Sequence, residues 1–347
     1  LPAGKRASPL RAVVLLSRNN SEDAFRMPVN DADYRAPTWL PGGHLQTLVP
    51  RYIRRLTLTG EPVDIDLPDG DRLHAELYRS PEPDAPLLIL SHGLEGSARS
   101  GYILGTTRAA LAKGWSVLAW NLRSCGDQLN RTPRIYHSGC SDDLDAVISW
   151  ATGAGFPRLH LGGFSLGGNV TLKWLGEQGE AARERGVEAA ATASVPLDLL
   201  ACVLTLERPA NWLYHKHFVR SMKRRLKAKA AQFPGHFDLQ RLKQMKTLWA
   251  LDEHYTAPLN GFRDAADYYA RCSSRFFLRD IRVPTLLVTA RNDPFFNDRC
   301  FPTEEAEAHD HLIFEAPRTG GHVGFWQGPG DWWLERRFLQ HFGREMP

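Results

Sequence analysis

The chain contains six short, continuously apolar runs, and this series restricts its fold more than any other feature. The runs cover residues 87–90, 116–120, 159–161, 189–194, 285–289 and 311–314. Such runs are typical of strands that are buried on both faces of a parallel sheet. Helix-like stretches lie between most of them, at about residues 99–113, 141–153, 166–177 and 329–342. This alternation predicts an α/β fold with a mostly parallel central sheet and helices on both faces.

A weaker strand signal precedes the first run. The segments Val63–Leu67 and Leu73–Tyr78 alternate weakly between apolar and polar residues. Pro68-Asp69-Gly70-Asp71 lies between them and has the composition of a tight turn, so the two segments are predicted to form a hairpin.

One long interval breaks the alternation of strands and helices. From about residue 197 to residue 275 there is no strand-like run, but there are helical patterns rich in aromatic and basic residues. We interpret residues 197–275 as a helical cap inserted between two core strands, and a separate helical domain is the alternative. The α/β core is then formed by residues 61–196 and 276–347.

The first 60 residues precede this core. Residues 1–26 have a mixed polar composition and no starting Met, so we expect a flexible tail or a non-native extension, with Met27 as the native start. Residues 27–60 are interpreted as an N-terminal arm. Its part from Asp33 to Pro50 is rich in Pro, Gly and Trp and is expected to be irregular.

Charge and cysteine content exclude several classes of protein. The net charge of +4 is small for 347 residues, which does not favour binding to nucleic acid. No stretch of 18 apolar residues occurs, so we expect no membrane-spanning helix and a cytoplasmic protein. The five cysteines form no Cys-x-x-Cys pair, which indicates reduced thiols rather than a disulfide or metal framework.

Ser165 is the candidate nucleophile. It lies in Gly163-Phe164-Ser165-Leu166-Gly167, between an apolar run and a helix-like stretch. A Gly-x-Ser-x-Gly pattern in this context is typical of a sharp, strained strand-to-helix turn that exposes the serine hydroxyl. A glycine-rich turn with an exposed but unreactive serine is the alternative.

A second glycine-containing loop is the candidate oxyanion hole. His92-Gly93-Leu94-Glu95-Gly96 follows the apolar run at residues 87–90. A developing oxyanion needs two preorganised donors, and we predict that these are the backbone N–H groups of Leu94 and Leu166. The alternative is an ordinary glycine turn in which His92 caps the strand.

A serine hydroxyl needs a general base, and thirteen histidines compete for this role. We favour His322 in Gly320-Gly321-His322-Val323-Gly324, because this loop follows the last strand-like run and its glycines let it reach over the sheet edge. His92, His44 and His254 are alternatives, although none of them follows the last core strand. A solvated loop histidine is the alternative for His322 itself.

The base in turn needs a carboxylate that fixes its tautomer. Asp293 follows the apolar run at residues 285–289, and a proline comes directly after it. We therefore predict that Asp293 is the acid. Asp298 and Asp198 are the alternatives.

The order Ser165, Asp293, His322 is the one that α/β hydrolases use, and the chain resembles that superfamily over about residues 50–345. Within the superfamily it is similar to the YheT-like, abhydrolase-domain esterases. Five longer motifs carry this resemblance, namely Pro41-Gly42-Gly43-His44-Leu45-Gln46-Thr47, His92-Gly93-Leu94-Glu95-Gly96-Ser97, Asn121-Leu122-Arg123-Ser124-Cys125-Gly126, Thr256-Ala257-Pro258-Leu259-Asn260-Gly261-Phe262 and Gly320-Gly321-His322-Val323-Gly324-Phe325. The resemblance implies an α/β-hydrolase fold and carboxylic-ester hydrolysis with those three residues as catalytic triad.

Residues and resemblance together predict a serine-dependent carboxylic-ester hydrolase that acts on short- to medium-chain acyl esters through an acyl-enzyme. An acyltransferase that passes the acyl group to an alcohol is one alternative, and a non-catalytic binding protein with the same fold is another. The expected partner is a small acyl ester. Neither a cofactor nor a metal is expected, because no residues have metal-ligand spacing.

The predicted cap carries two further features. Five of its aromatic residues are candidates to line an acyl pocket, although they could equally pack the cap onto the core: Trp212, Tyr214, Phe218, Phe233 and Phe237. Arg220-Ser221-Met222-Lys223-Arg224-Arg225-Leu226-Lys227 is a basic run. A solvated helix face is the simpler interpretation of this run, and peripheral attraction to an anionic lipid surface is the alternative.

Overall fold

The computed structural model describes residues 32–343, so the tail expected at residues 1–26 lies outside the described residues. The strands of this part of the chain are β1 (Glu61–Asp66), β2 (Arg72–Tyr78), β3 (Leu87–Ser91), β4 (Ser116–Trp120), β5 (Leu159–Phe164), β6 (Val187–Ala193), β7 (Thr285–Val288), β8 (Leu312–Glu315), β9 (Trp326–Gly328) and β10 (Asp331–Trp332). Its α-helices are α1 (Gly42–Ile53), α2 (Gly101–Leu111), α3 (Ser141–Gly153), α4 (Leu166–Gln178), α5 (Ala181–Glu184), α6 (Leu199–Leu206), α7 (Trp212–Gln232), α8 (Leu239–Gln244), α9 (Leu248–Leu251), α10 (Ala257–Leu259), α11 (Ala265–Cys272), α12 (Thr303–Glu307) and α13 (Trp333–Phe342).

Strands β1 to β8 form one sheet, in the order β1-β2-β4-β3-β5-β6-β7-β8. The predicted hairpin is formed by β1 and β2, which pair antiparallel, and β2 also pairs antiparallel with β4. The pairs from β4 through β8 are parallel. The six apolar runs therefore become β3 to β8, and the predicted α/β fold with a mostly parallel sheet is confirmed.

The sheet separates two hydrophobic cores. Leu87 and Ile89 of β3 pack with α3 and α4 on one face, whereas Leu88 and Leu90 pack with α2 and α13 on the other. Successive side chains of a strand point to opposite faces, so a strand covered on both faces must be apolar at every position. This arrangement explains why the strand signals in the sequence are continuous rather than alternating.

The topology gathers the predicted site residues at one edge of the sheet. Because β3, β5, β7 and β8 run in the same direction, the loops that follow them leave from the same edge. These loops contain Leu94, Ser165, Asp293 and His322, respectively. Open parallel sheets commonly bind their ligands outside the carboxyl ends of the strands.

Between β6 and β7 the described chain contains only helices, from α6 to α11 with short 3₁₀ and π-helical turns. Their inner side chains form a hydrophobic cluster that includes Phe295, on the loop after β7, and that contacts Leu94, on the loop after β3. We therefore propose that residues 197–275 form a cap over the carboxyl edge of the sheet. Within residues 32–343, none of the helices combines the length and the apolar character that a bilayer crossing requires.

The expectation of an irregular segment from Asp33 to Pro50 is wrong for residues 42–50, which belong to α1. The sequence pattern did not indicate this helix, because the helix begins with two glycines and contains Pro50. Proline removes a backbone hydrogen bond from a helix interior and costs about 3 kcal/mol there. Helix α1 exists in spite of this because it packs against the loops of the site, as described below.

The last helix is shorter than the sequence predicts. A helix was expected at about residues 329–342, but α13 begins at Trp333. The preceding residues instead form β10, which pairs with β9 through Asp331 and Gly328. Residues 331 and 332, which were expected in the first turn of the helix, therefore pair as a strand in this small hairpin.

Candidate active site

Ser165 occupies the turn between β5 and α4. Its backbone has φ 53° and ψ −121°, a conformation that residues with a side chain rarely adopt and that costs roughly 1–3 kcal/mol. The turn is possible because Gly167 lies against β3, where a Cβ atom would come within 2.3 Å of the Ser91 carbonyl oxygen. The strained turn places the Ser165 hydroxyl at the carboxyl edge of the sheet.

Ser165, His322 and Asp293 form one hydrogen-bonded chain. His322 Nε2 lies 2.9 Å from Ser165 Oγ, and His322 Nδ1 lies 2.8 Å from Asp293 Oδ2. The Asp293 side chain is fully buried, and its Oδ1 accepts the Phe295 N–H at 3.0 Å. Because a carboxylate accepts at Nδ1, the ring proton belongs on that nitrogen. Nε2 is then free to accept the proton of the serine hydroxyl.

The alternative histidines lie elsewhere. His92 is fully buried, its Nε2 accepts the Leu122 N–H at 3.2 Å, and its Nδ1 lies 2.8 Å from the next residue's carbonyl. Burial lowers the pKa of His92 to about 4, so its ring stays neutral and joins the loops after β3 and β4. His44 stacks on Tyr214, and His254 is exposed.

The alternative carboxylates also have other environments. Asp198 caps the N-terminus of α6, and it accepts a hydrogen bond from Arg299 Nε at 2.5 Å. Asp298 starts a 3₁₀ turn that follows the Asp293 loop. Among the described carboxylates, Asp293 is the one that hydrogen-bonds His322.

Helix α1 holds the loop that carries His322. No local sequence pattern indicated this contact. Thr47 Oγ1 accepts the backbone N–H of His322 at 2.8 Å. The buried Gln46 Oε1 accepts both the Gly320 N–H and the Asn292 side-chain amide at 2.9 Å. The loops after β7 and β8 are thus joined to each other through α1, so the relative positions of Asp293 and His322 depend on this helix.

The loop after β3 lies directly against the serine. A Cβ atom on Gly93 would come within 3.0 Å of Ser165 Cβ, and the Gly93 N–H donates to the Tyr102 hydroxyl at 2.9 Å. Leu166 is the first residue of α4, where the N–H has no acceptor within the helix. Leu94 and Leu166 both line the cavity that contains the Ser165 hydroxyl. This placement suits the two predicted oxyanion donors.

An apolar cavity opens at Ser165 between the cap and the edge of the sheet. Its volume, open mouth included, is about 880 Å³. Helices α6 and α7 supply much of its lining, through Leu199, Cys202, Val203, Leu206, Phe218, Met222 and Leu226. The cavity therefore offers a mainly apolar surface next to Ser165.

Of the five cap aromatics that were candidates to line the cavity, four lie elsewhere. Phe218 lines the cavity, whereas Trp212 is largely exposed. Tyr214 packs on Phe295, and both it and Phe237 belong to the hydrophobic cluster of the cap. Phe233 packs against the same cluster. Packing of the cap is thus the main role of these rings.

A buried ion pair joins the loop after β3 to the cap. Arg225 on α7 donates from Nε and Nη2 to the two carboxylate oxygens of Glu95, each at 3.0 Å. The hydroxyl of Tyr136 donates to Glu95 at 2.7 Å, and that of Ser221 donates as well. Burial alone would raise the pKa of Glu95, but Arg225 and the two hydroxyls outweigh it and hold the pKa below its usual value. The pair adds little net charge to the apolar lining.

The described residues hold no candidate metal centre. In the range 32–343, His, Cys, Asp and Glu side chains nowhere form a group of three or more that could bind a metal ion.

Comparison with known proteins agrees with this architecture. A family profile described as the alpha/beta hydrolase fold matches residues 86–329. The chain belongs to the α/β-hydrolase family. It is 34% identical over 303 residues to YheT of Escherichia coli (strain K12), a protein that is named as an esterase. The match covers 85% of this chain and 88% of YheT. The predicted YheT-like subgroup is thereby confirmed.

Two further similarities extend the comparison. The chain is 28% identical over 275 residues to phospholipase ABHD3 of Mus musculus, a match that covers 78% of this chain and 65% of that protein. The solved structure of the Pyrococcus furiosus esterase PF2001 matches with a TM-score of 0.53 and 17% identity, covering 81% of this chain and 90% of that one. The structural match shows the same fold, and the relatives that are named as an esterase and a phospholipase support a hydrolase.

We expect a Gln46→Met substitution to weaken the attachment of α1 to the loops that contain Asp293 and His322. Met has a similar length, but it leaves the Gly320 N–H, the Asn292 amide and the Leu40 carbonyl without their partner. Because the site is buried, the free energy of unfolding should fall by about 1–3 kcal/mol, measured by chemical denaturation. Gln244→Met, at an exposed position, is the matched control and should change it by less than about 0.5 kcal/mol. Equal stability of the two variants would contradict the role of α1.

Proposed function

We propose that this chain is a serine-dependent carboxylic-ester hydrolase that acts on short- to medium-chain acyl esters. The observation that carries the proposal is the hydrogen-bonded chain from Ser165 through His322 to Asp293, whose Ser165 and His322 line an apolar cavity. The names of YheT and ABHD3, an esterase and a phospholipase, support ester hydrolysis.

The first half-reaction forms an acyl-enzyme. His322 Nε2 takes the hydroxyl proton of Ser165 while Oγ forms a bond to the carbonyl carbon of the ester. The carbonyl oxygen becomes an oxyanion and accepts hydrogen bonds from the Leu94 and Leu166 amides. When the intermediate collapses, the bond to the alcohol oxygen breaks, and that oxygen takes the proton from Nε2 and leaves as the alcohol.

The second half-reaction releases the acid. A water molecule gives one proton to His322 Nε2 while its oxygen bonds to the acyl carbon. Collapse of this intermediate breaks the bond to Ser165 Oγ, which recovers its proton from Nε2, and the carboxylic acid departs. In both halves the buried Asp293 carboxylate stabilises the imidazolium that forms in between.

The lining of the cavity supports an acyl substrate. Leu199, Val203, Phe218 and Met222 surround the space next to Ser165 with apolar side chains. Each methylene that moves from water into such a lining contributes about 0.8 kcal/mol. The transition state should therefore become more stable as the acyl chain lengthens, until the chain fills the cavity.

Substitution of the nucleophile tests the proposal directly. Ser165→Ala should abolish labelling by a fluorophosphonate probe and lower ester hydrolysis by roughly 10⁴- to 10⁶-fold, as loss of a serine nucleophile does elsewhere. Ser138→Ala removes another serine of the cavity lining and should keep the label. Absence of labelling in folded wild-type protein would favour a non-catalytic binding protein, and labelling of Ser165→Ala would exclude this nucleophile.

The two neighbouring carboxylates allow a matched test of the acid. Asp293→Asn keeps the shape of the side chain but lets the wrong tautomer of His322 form, so kcat should fall about 10⁴-fold. Asp298→Asn should leave kcat within about twofold, because Asp298 lies outside the hydrogen-bonded chain. Steady-state kinetics on a soluble ester measure both values. A larger loss in Asp298→Asn would overturn the assignment.

A series of p-nitrophenyl esters with graded acyl length tests the substrate class. We expect kcat/KM to rise from the shortest chain to a medium chain and then to level off or fall when the cavity is full. Equal failure on every length would refute the proposed substrate. Added ethanol separates hydrolysis from acyl transfer, because a transferase would yield ethyl ester at the expense of free acid.

A further inference from the structure

Helix α7 carries an unusual concentration of positive charge. Its 21 residues include seven Lys and Arg side chains and no Asp or Glu. Three of the seven are used within the fold. Lys223 donates to two backbone carbonyls of the cap, at 3.1 and 2.9 Å. Arg225 pairs with the buried Glu95, and the buried Lys229 donates to the Asn130 carbonyl at 3.0 Å. The sequence run at 220–227 is therefore not one surface, because Arg225 belongs to the cavity side of the helix.

The remaining charges form a stripe along the outer face of α7. Lys216, Arg220, Arg224 and Lys227 are exposed, and their spacing of three or four residues places them on one side of the helix. Within the part of the chain that the structure describes, no carboxylate makes an ion pair with any of these four side chains. They are thus positive charges without a counter-charge.

Large apolar side chains lie beside this stripe. Trp212 and Leu213 at the start of α7 are 59% and 52% exposed, and Trp212 precedes Lys216 by one helical turn. On α6, which contacts α7, Leu200 and Leu204 are 39% and 54% exposed. Apart from Thr205, α6 consists of apolar residues. A helix that is apolar all round is normally buried by protein or by lipid.

We propose that this outer side of α6 and α7 docks on an anionic lipid surface. The docking face consists of the four basic side chains of this stripe together with Leu204, Trp212 and Leu213. A basic helix with Trp and Leu side chains at its border is the arrangement that binds the headgroup region of a membrane, where each Lys or Arg contributes about 1 kcal/mol. Nucleic acid would engage the cations, but it would leave the exposed leucines in water.

The inner sides of the same two helices line the cavity. Leu199 and Val203 of α6, and Phe218 and Met222 of α7, face the space next to Ser165. One pair of helices thus separates the docking face from the acyl cavity. Docking would bring acyl esters dissolved in a bilayer within one helix diameter of the site, which deepens the proposed function, although docking itself needs no hydrolysis.

Vesicle flotation tests docking apart from hydrolysis when all measurements use the full chain with Ser165→Ala. We expect binding to phosphatidylcholine vesicles that contain phosphatidylglycerol and much weaker binding to phosphatidylcholine alone. Arg220→Gln/Lys227→Gln should weaken binding about 30-fold, because two charges of about 1 kcal/mol each are lost. Lys113→Gln/Arg183→Gln has the same net charge, changes two exposed residues outside α6 and α7, and should bind like the parent.

A second pair of variants tests the apolar part and guards against misfolding. Trp212→Ser/Leu213→Ser should lower the binding that survives at high salt, where screening removes most of the contribution from charge. Thermal unfolding confirms that each variant is folded, and Lys216→Gln/Arg224→Gln replaces the first charge variant if that one is not. Equal binding by the charge variants and their control would overturn the proposal. So would tighter binding to duplex DNA than to anionic vesicles, or indifference to the Trp212 and Leu213 substitutions.

Discussion

The hydrogen bond between His322 and Ser165 joins residues that are 157 positions apart in the chain, and much of the fold serves to keep this bond in place. The serine side is rigid because the turn is enclosed by β3, β5 and α4. The histidine side lies on a loop, and a loop needs external support. Asp293 supports the ring, Thr47 supports the backbone N–H of His322, and Ser194 accepts the N–H of the next residue at 3.0 Å.

Polar contacts at the site connect the cap to the core, in addition to apolar packing. The pair between Glu95 and Arg225 connects the loop that carries Leu94 to helix α7. Removing one partner of a buried ion pair leaves a charge without compensation and typically costs about 3–5 kcal/mol. This one electrostatic contact therefore links the cap to the proposed oxyanion loop at the edge of the apolar cavity. The inner face of α7 takes part both in the contact and in the lining of the cavity.

Local patterns predicted the eight strands of the main sheet and helices α2, α3, α4 and α13, because strand burial and the alternation of strands with helices leave short-range signals. They failed at α1, where Pro50 and two glycines contradict helix formation and only contacts with the loops of the site compensate. The motif at residues 41–47 indicated the family, but it did not indicate what these residues do in the structure. That role depends on Asn292 and Gly320, which lie more than 240 positions away in the chain. The basic run was likewise divided by burial, which places Arg225 inside and Arg220 outside.

The sequence by itself determined the order of strands and helices and the positions of the candidate nucleophile, acid and base. These depend on residue type at fixed short spacing, such as glycines around a serine after a buried strand. Only the tertiary structure decided which histidine contacts Ser165 and which carboxylate contacts that histidine. It also decided how α1 joins their loops and which cap side chains face the cavity. The reason is that hydrogen bonds and burial depend on distance in space, and packing of the sheet and cap brings together residues that are far apart along the chain.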